Sequence, residues 1–326
     1  MALTRYIISR LFQSIIIILV IIVINFLIVS SAPGDPIRFI AGDITLYNPE
    51  YAAYLRAKWG LDKPLHERLL MYFLNVLRGD LGYSYRYLES VSKLIIERLP
   101  LTLLLTVTAN ILAFALGVYL GIQSARRAGS KLDTALTSLN FFLWSTPSFW
   151  LGILLMIIFA VKLKILPATG LMDLRNPKTG FMLYIDILWH SILPVTTLTL
   201  ITTPLYYKIT RDSVIQQASE DYVTTYRAIG FSEDRIYRKY IFRNAIIPPV
   251  TVLGLHMGFA VAGAALIENV FGWPGMGRLL LDSISTRDYP VILGIYLVVA
   301  SSVVLANLIV DIIYAFLDPR VRIAKG

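Results

Sequence analysis

Apolar runs of about membrane length recur six times along the chain, and nothing else in the sequence restricts its fold as much. They occupy residues 11–30, 102–122, 136–161, 192–207, 246–267 and 291–316. About twenty apolar residues in a helix cross a hydrocarbon core of about 30 Å. No water is available there to satisfy backbone N–H and C=O groups, so such runs close their hydrogen bonds as helices. The expectation is an all-α integral membrane protein with about six transmembrane helices. Composition agrees. Hydrophobic residues make up 56% of the 326, and mean hydropathy is +0.67. Soluble chains average about 45–50% apolar.

The first run follows Arg5 and Arg10, is too long for a signal-peptide core and has no small-residue cleavage site after it. It reads as a retained first span. The net charge of +9 is the excess expected where basic residues gather at cytoplasmic span ends, and it calls for no nucleic acid. The N-terminus, the 126–131 loop, the 208–243 loop and the tail carry these bases. Both termini are therefore expected in the cytoplasm of a multi-pass plasma-membrane protein.

The division follows: 1–31 an N-terminal transmembrane helix, 32–99 an extracytoplasmic segment, and 100–326 a core of five spans with a cytoplasmic loop at 208–246. In the external segment, 50–59 and 65–77 read as helices and Gly60, Gly79 and Gly82 as turns. Asp35 and Pro36 have the form of a helix start. Ser145, Thr146 and Pro147 should bend the third span. Gly254, Gly258 and Gly263 offer close helix contact in the fifth.

Residues 219–249 form the only long charged stretch in the second half. The pattern is helix, glycine, helix. Ser219 is placed to cap a first helix with Glu220 and Asp221 in its opening turn. Tyr222, Tyr226 and Ile229 fall on one apolar face, and Gly230 stands where a left-handed cap is needed. Ser232 then opens a second helix whose apolar side is Ile236, Tyr237, Tyr240 and Ile241. Two short amphipathic helices held between spans make a docking site for a soluble partner. The plainer reading is a connector resting on lipid headgroups.

Some chemistry is absent from the sequence. The chain has no cysteine, no G-x-x-x-x-G-K-[ST] phosphate loop, no H-E-x-x-H and no G-x-S-x-G. His66, His190 and His256 are scattered. No catalytic or metal-binding residues are expected, and no cofactor on this chain.

Motifs in order through the chain carry a resemblance. They are Pro33-Gly34-Asp35-Pro36, Gly60-Leu61-Asp62, Arg78-Gly79-Asp80-Leu81-Gly82 and Pro147-Ser148-Phe149-Trp150. They continue with Asp221-Tyr222-Val223, Ala228, Gly230, Arg243-Asn244-Ala245, Pro248, Glu268, Phe271 and Trp273-Pro274-Gly275-Met276-Gly277. Arg287-Asp288-Tyr289-Pro290, Asn307, Asp311 and Asp318-Pro319-Arg320 complete the set. The chain resembles the permease subunits of binding-protein-dependent ABC importers, specifically the B-type permease of the dipeptide, oligopeptide and nickel group. The resemblance implies a type I importer permease fold. It also implies ATP and Mg on two separate ATP-binding subunits, a second homologous permease in a heterodimer, an extracellular substrate-binding protein, and membrane lipid as surroundings.

By the same resemblance, Asp221, Tyr222, Tyr226, Arg227, Ala228, Gly230, Arg243 and Asn244 form the loop that couples to the ATPase. Departures are Ile229 in place of a lysine and Tyr240 in place of a histidine, and no Glu-Ala-Ala precedes the glycine. Glu268, with Phe271, Pro274 and Gly275, is a candidate gate or stretch of the translocation path. Asp311 reads as a structural clamp. The substrate expected is a di- or oligopeptide, with nickel or an oligosaccharide as the alternative within the group. Two other classes stay open, an ion-coupled secondary transporter using Glu268 or Asp311 and a membrane scaffold.

Overall fold

The computed structural model describes residues 2–31, 37 and 49–317, with side chains at 7–31, 37, 49–57 and 59–309. The expected helix start at Asp35–Pro36, the side chain of Asp311 and the motif at 318–320 lie outside them. Among the described residues the regular structure is helical, apart from one isolated antiparallel bridge between Tyr83 and Ser90.

The helices are α1 (Ala2–Ser30), α2 (Pro49–Lys58), α3 (Leu65–Leu77), α4 (Val91–Arg126), α5 (Lys131–Ser145) and α6 (Ser148–Leu155), which runs on as a π-helical stretch, Met156–Lys162. Next come α7 (Phe181–Ala218), α8 (Asp221–Ala228) and α9 (Glu233–Ile236). A π-helical turn, Tyr237–Ile241, joins α9 to α10 (Phe242–Ala245). The chain continues through α11 (Ile247–Phe259), a 3₁₀ turn at Ala260–Ala262, α12 (Ala265–Val270), α13 (Met276–Thr286) and α14 (Tyr289–Leu317).

Among the described residues five helical stretches are long and apolar enough to cross a membrane: Ile7–Ser30, Val91–Arg126, Phe181–Ala218, Glu233–Ala262 and Tyr289–Ile309. The pair Lys131–Ser145 and Ser148–Lys162 passes the same test only when taken together and is bent by 102° at its break, as a broken span or a re-entrant loop is. The expected bend at Ser145–Pro147 is thus a corner. Pro147 lacks an N–H for the ladder and bars the α-conformation at Thr146, which is extended (φ −80, ψ 126). The third and fourth elements also differ in reach from the apolar runs. Helix α7 has 38 residues, about 57 Å at 1.5 Å per residue, so its polar end continues beyond the run at 192–207.

The chain falls into two compact units. One is Met1–Thr102 with Val261–Ala265 and Pro274–Gly326; the other is Leu103–Ala260 with Leu266–Trp273. In the first, Phe26 and Val29 of α1 pack with Tyr289, Ile292 and Leu293 of α14 and with Leu69 and Tyr72 of α3. Asn25 Nδ2 donates to Leu293 O at 3.2 Å in this interior. The 83–90 turn is tied to the start of α14 by Asp288, which is fully buried. Asp288 accepts from Ser84 Oγ, from Tyr85 N at 3.1 Å and from Arg86 N at 3.3 Å. Burial between these elements raises the Tyr85 phenol pKa well above its ordinary value and pushes Tyr72 up to about 12.

In the second unit, α4 and α7 approach closely at Gly117 and Gly121. A Cβ at either would stand 2.6 or 2.8 Å from Tyr206 or Thr210 Cβ. This is a small-x-x-x-small contact of the kind that brings membrane helices together. One turn further, Arg211 of α7 holds Asp133 of α5 in a two-pronged ion pair, 2.8 Å from Nε and 2.9 Å from Nη2. Ser124 Oγ also donates to Asp133, and Tyr207 Oη lies 2.7 Å from Ser124 Oγ and 2.8 Å from Thr137 Oγ1. Every prong of the buried carboxylate is thereby satisfied, as burial of a charge requires.

Candidate functional site

The first helix of the charged stretch begins one residue later than its sequence suggests. Glu220 is the N-cap of α8, while Ser219 closes α7 and donates its hydroxyl to Gln216 O. The far end of α8 matches the expectation. Gly230 has φ +90, its N–H bonds Arg227 O at 2.9 Å, and Phe231 N–H bonds Tyr226 O at 3.1 Å. This paired closure, with the Phe231 and Tyr226 rings stacked 5.4 Å apart, is a Schellman motif with its hydrophobic contact. A residue with a Cβ is disfavoured at that φ.

The faces of α8 are not divided as the spacing suggests. Val223 is the fully buried residue, and Ile229 is 63% exposed. Val223 enters a core with Ala125 of α4, Val214 of α7, Ile236 and Ile241, and Ala245 of α10. Tyr222 and Tyr226 pack against that same core. Tyr226 stacks on Tyr240 at 4.0 Å, and Arg235 lies 4.3 Å over the Phe231 ring. Tyr222 and Tyr226 are half-buried and pack within this chain. Tyr240 stands where the resemblance leads one to expect histidine, and here it supplies a stacking surface.

The second helix is not a separate short element. From Glu233 through the π-helical turn to Ala262 the chain stays helical and apolar enough to be a span. Helix α7 likewise runs without a break to Ala218, covering the first part of the expected 208–246 loop. Helix α8 thus sits between two span-length helices and is packed onto a third. Arg227 and Glu233 close the turn between them at 2.7 and 3.2 Å. That hydrogen bond raises the Arg227 pKa. Asn244 reaches Tyr222 Oη at 3.5 Å, and Tyr222 Oη donates to Gln217 Oε1 at 2.9 Å. Asp221, Arg227, Ala228, Ile229, Gly230 and Arg243 are exposed. These, with Thr224 and Thr225, make the free surface of the loop.

The candidate gate residues lie elsewhere. The helix of the fifth span ends at Ala262, because Gly263 takes φ +76 and breaks it; Gly263 is a stop, not a helix contact. Glu268 lies in the separate helix α12 and is fully buried. Phe271 is 2% exposed, and its ring lies 3.2 Å from where a Gly152 Cβ would stand. Its carbonyl accepts from Gly170 N at 2.8 Å, and Trp273 N bonds Glu268 O at 2.7 Å. Pro274 and Gly275 lead into α13, whose Met276 N–H is capped by Thr102 Oγ1 at 2.7 Å. The re-entry is a packed corner. Among the described residues no group of three or more His, Asp or Glu could hold a metal ion.

Residues 98–323 match the family described as "Binding-protein-dependent transport system inner membrane component". Residues 3–106 match "Binding-prot-dependent transport system membrane comp, N-term". The chain is 38% identical over 319 residues to the dipeptide transport system permease protein DppB of Escherichia coli (strain K12), covering 93% of this chain and 94% of that one. It is 37% identical over 318 residues to the oligopeptide transport system permease protein AppB of Bacillus subtilis (strain 168), covering 97% and 99%. It is 39% identical over 325 residues to the glutathione transport system permease protein GsiC of Salmonella choleraesuis (strain SC-B67), covering 98% and 99%. Among solved structures, a chain of the MetNI methionine ABC transporter in an inward-facing conformation superposes with a TM-score of 0.52 at 16% identity, covering 70% of this chain and 97% of that one. That likeness is one of fold alone.

Proposed function

The chain belongs to the inner-membrane components of binding-protein-dependent transport systems, and from that premise we propose that it is a permease subunit of an ATP-driven importer of di- or oligopeptides. An external binding protein delivers the peptide. ATP and Mg act on two partner subunits, and a second homologous permease completes the path. Both termini and the α8 turn face the cytoplasm, and 32–99 faces outward.

The observation that supports this reading best is the mounting of α8. Its outer surface is free, while Val223 roots it in a core shared by the ends of α4, α7 and the Glu233–Ala262 helix. A body pushed against α8 moves three membrane-length helices together. That is the mechanical requirement for coupling nucleotide-driven motion to a path. On this reading Asp221, Arg227, Ala228, Gly230, Arg243 and the exposed Asn244 meet the ATPase, while Tyr222 and Tyr226 stiffen the loop from within. Glu268, at the packed corner, is the candidate gate, and Phe271, Pro274 and Gly275 hold that corner's shape.

The test is reconstitution with the cognate ATPases, second permease and binding protein. Labelled dipeptide should accumulate only with ATP on the α8 side, and collapse of ion gradients should leave uptake intact. Uptake by this chain alone, driven by a gradient, would replace the reading with a secondary transporter. Competition by nickel or an oligosaccharide but not by peptides would change the substrate.

A further inference from the structure

The groove between α5 and α7 holds chemistry that the α8 mounting does not use. Asn140 of α5 is 3% exposed. Its Nδ2 donates to Leu136 O at 2.9 Å, and its Oδ1 is buried with no hydrogen-bond partner. Exchanging amide oxygen and nitrogen would set two acceptors face to face, so the acceptor is the free end. An unsatisfied polar atom buried in an apolar helix is costly and calls for an explanation. Asn140 lines a groove of about 410 Å³, together with Phe141, Trp144, Lys208 and Asp212. That volume falls within the range of roughly 300–1,000 Å³ typical of small-molecule sites. Lys208 is exposed and forms no ion pair among the described residues. Asp212 is paired with Arg211, which also lines the groove, at 3.7 Å and keeps 58% of its side chain exposed.

We propose that this groove holds the peptide on its way through the membrane. The inference rests on the peptide-importer reading and names where on this chain the cargo is bound. A short peptide presents an amide N–H, apolar side chains and two termini of opposite charge. Asn140 Oδ1 accepts the N–H, Phe141 and Trp144 pack the side chains, Lys208 meets the carboxylate and Asp212 the ammonium. An anionic phospholipid fits less well. Its phosphodiester has no N–H donor for Asn140 and no ammonium for Asp212, and is drawn only to Lys208 and Arg211.

The experiment uses the complete importer in lipid nanodiscs and a diazirine-bearing dipeptide. Photolysis should label residues within 137–144 and 204–212, and excess unlabelled dipeptide should suppress the label. In uptake assays, Asn140→Leu should raise KM about 3- to 10-fold, the loss of one hydrogen bond, with kcat little changed. Pull-down of the ATPase by the same variant establishes that it is assembled. Label confined to other segments, or label in the groove that unlabelled dipeptide does not suppress, overturns the inference. If wild type takes up labelled peptide and one of these results is found, only the groove assignment falls. If wild type takes up no peptide, the importer reading falls with it.

Discussion

Asp288 at the start of α14 accepts a hydrogen bond from the hydroxyl of Ser84, 204 residues earlier in the chain, and both residues are fully buried. Two backbone N–H groups, of Tyr85 and Arg86, end on the same carboxylate. Removing the acceptor strands these donors, each at about 1–3 kcal/mol. Asp288→Ala should therefore lower the thermal unfolding temperature of the detergent-solubilised chain clearly. Ser84→Ala, which removes one of the three bonds to the carboxylate and the bond the hydroxyl accepts from Tyr87 N, should lower it by less. Equal, negligible shifts would show that the turn is held by packing alone.

Gly230 is a second point where backbone geometry decides the outcome. A Cβ placed there meets nothing within 4 Å, so the penalty for a side chain is conformational and not steric. It should be roughly 1–2 kcal/mol for a β-branched residue. Coupling of ATP hydrolysis to uptake should fall in the order Gly, Asn, Ala, Val, because Asn tolerates the left-handed region better. The ratio of peptide imported to ATP hydrolysed in proteoliposomes measures this. An unchanged ratio for Gly230→Val would reduce the turn to a connector.

Tyr226 acts through Tyr240, 4.0 Å away, and Phe231. Tyr226→Ala should weaken the loop by about 2 kcal/mol, the loss of a half-buried aromatic. Tyr226→Phe should be near neutral, since the rings and not the hydroxyl make these contacts. Pull-down of the ATPase should follow the same order. Equal loss in both variants would instead assign the hydroxyl a contact with the partner.

Glu268 offers a test that separates charge from volume. Glu268→Gln keeps the shape of a fully buried side chain. The assembled importer carrying it should lose about 5- to 30-fold in substrate-stimulated hydrolysis, a coupling of about 1–2 kcal/mol. Normal stimulation in an assembled complex would remove Glu268 from the gate.

Orientation is checked on the cysteine-free chain. Tyr54→Cys and Ser232→Cys are both at exposed positions. In intact cells an impermeant thiol reagent should modify Tyr54→Cys and spare Ser232→Cys. The opposite pattern would invert the proposed topology.

The helical membrane fold, the helices Pro49–Lys58 and Leu65–Leu77 with the turns at Gly60, Gly79 and Gly82, and the closure of α8 at Gly230 were legible in the sequence. Each depends on the chemistry of a few neighbouring residues: apolar runs that must bond internally, and glycines that accept positive φ. The identity of the residues facing inward was not legible. A period of 3.6 groups Tyr222, Tyr226 and Ile229, but Val223 is the residue that finds the ends of α4 and α7. Gly117 and Gly121 are a readable small-x-x-x-small signal, yet only the approach of α7 distinguishes it from chance. Helical continuity from Glu233 to Ala262 could not be read either, because Asn244, Pro248 and Pro249 look like a boundary. Prolines at the first turn of α11 are tolerated there, where their missing N–H groups need not break the path. The partners of Asp133 and Asp288 lie 78 and more than 200 residues away. Local sequence sets which conformations are open to a segment. Which buried charge meets which donor is decided only when distant segments exclude solvent together, so that information resides in the tertiary structure.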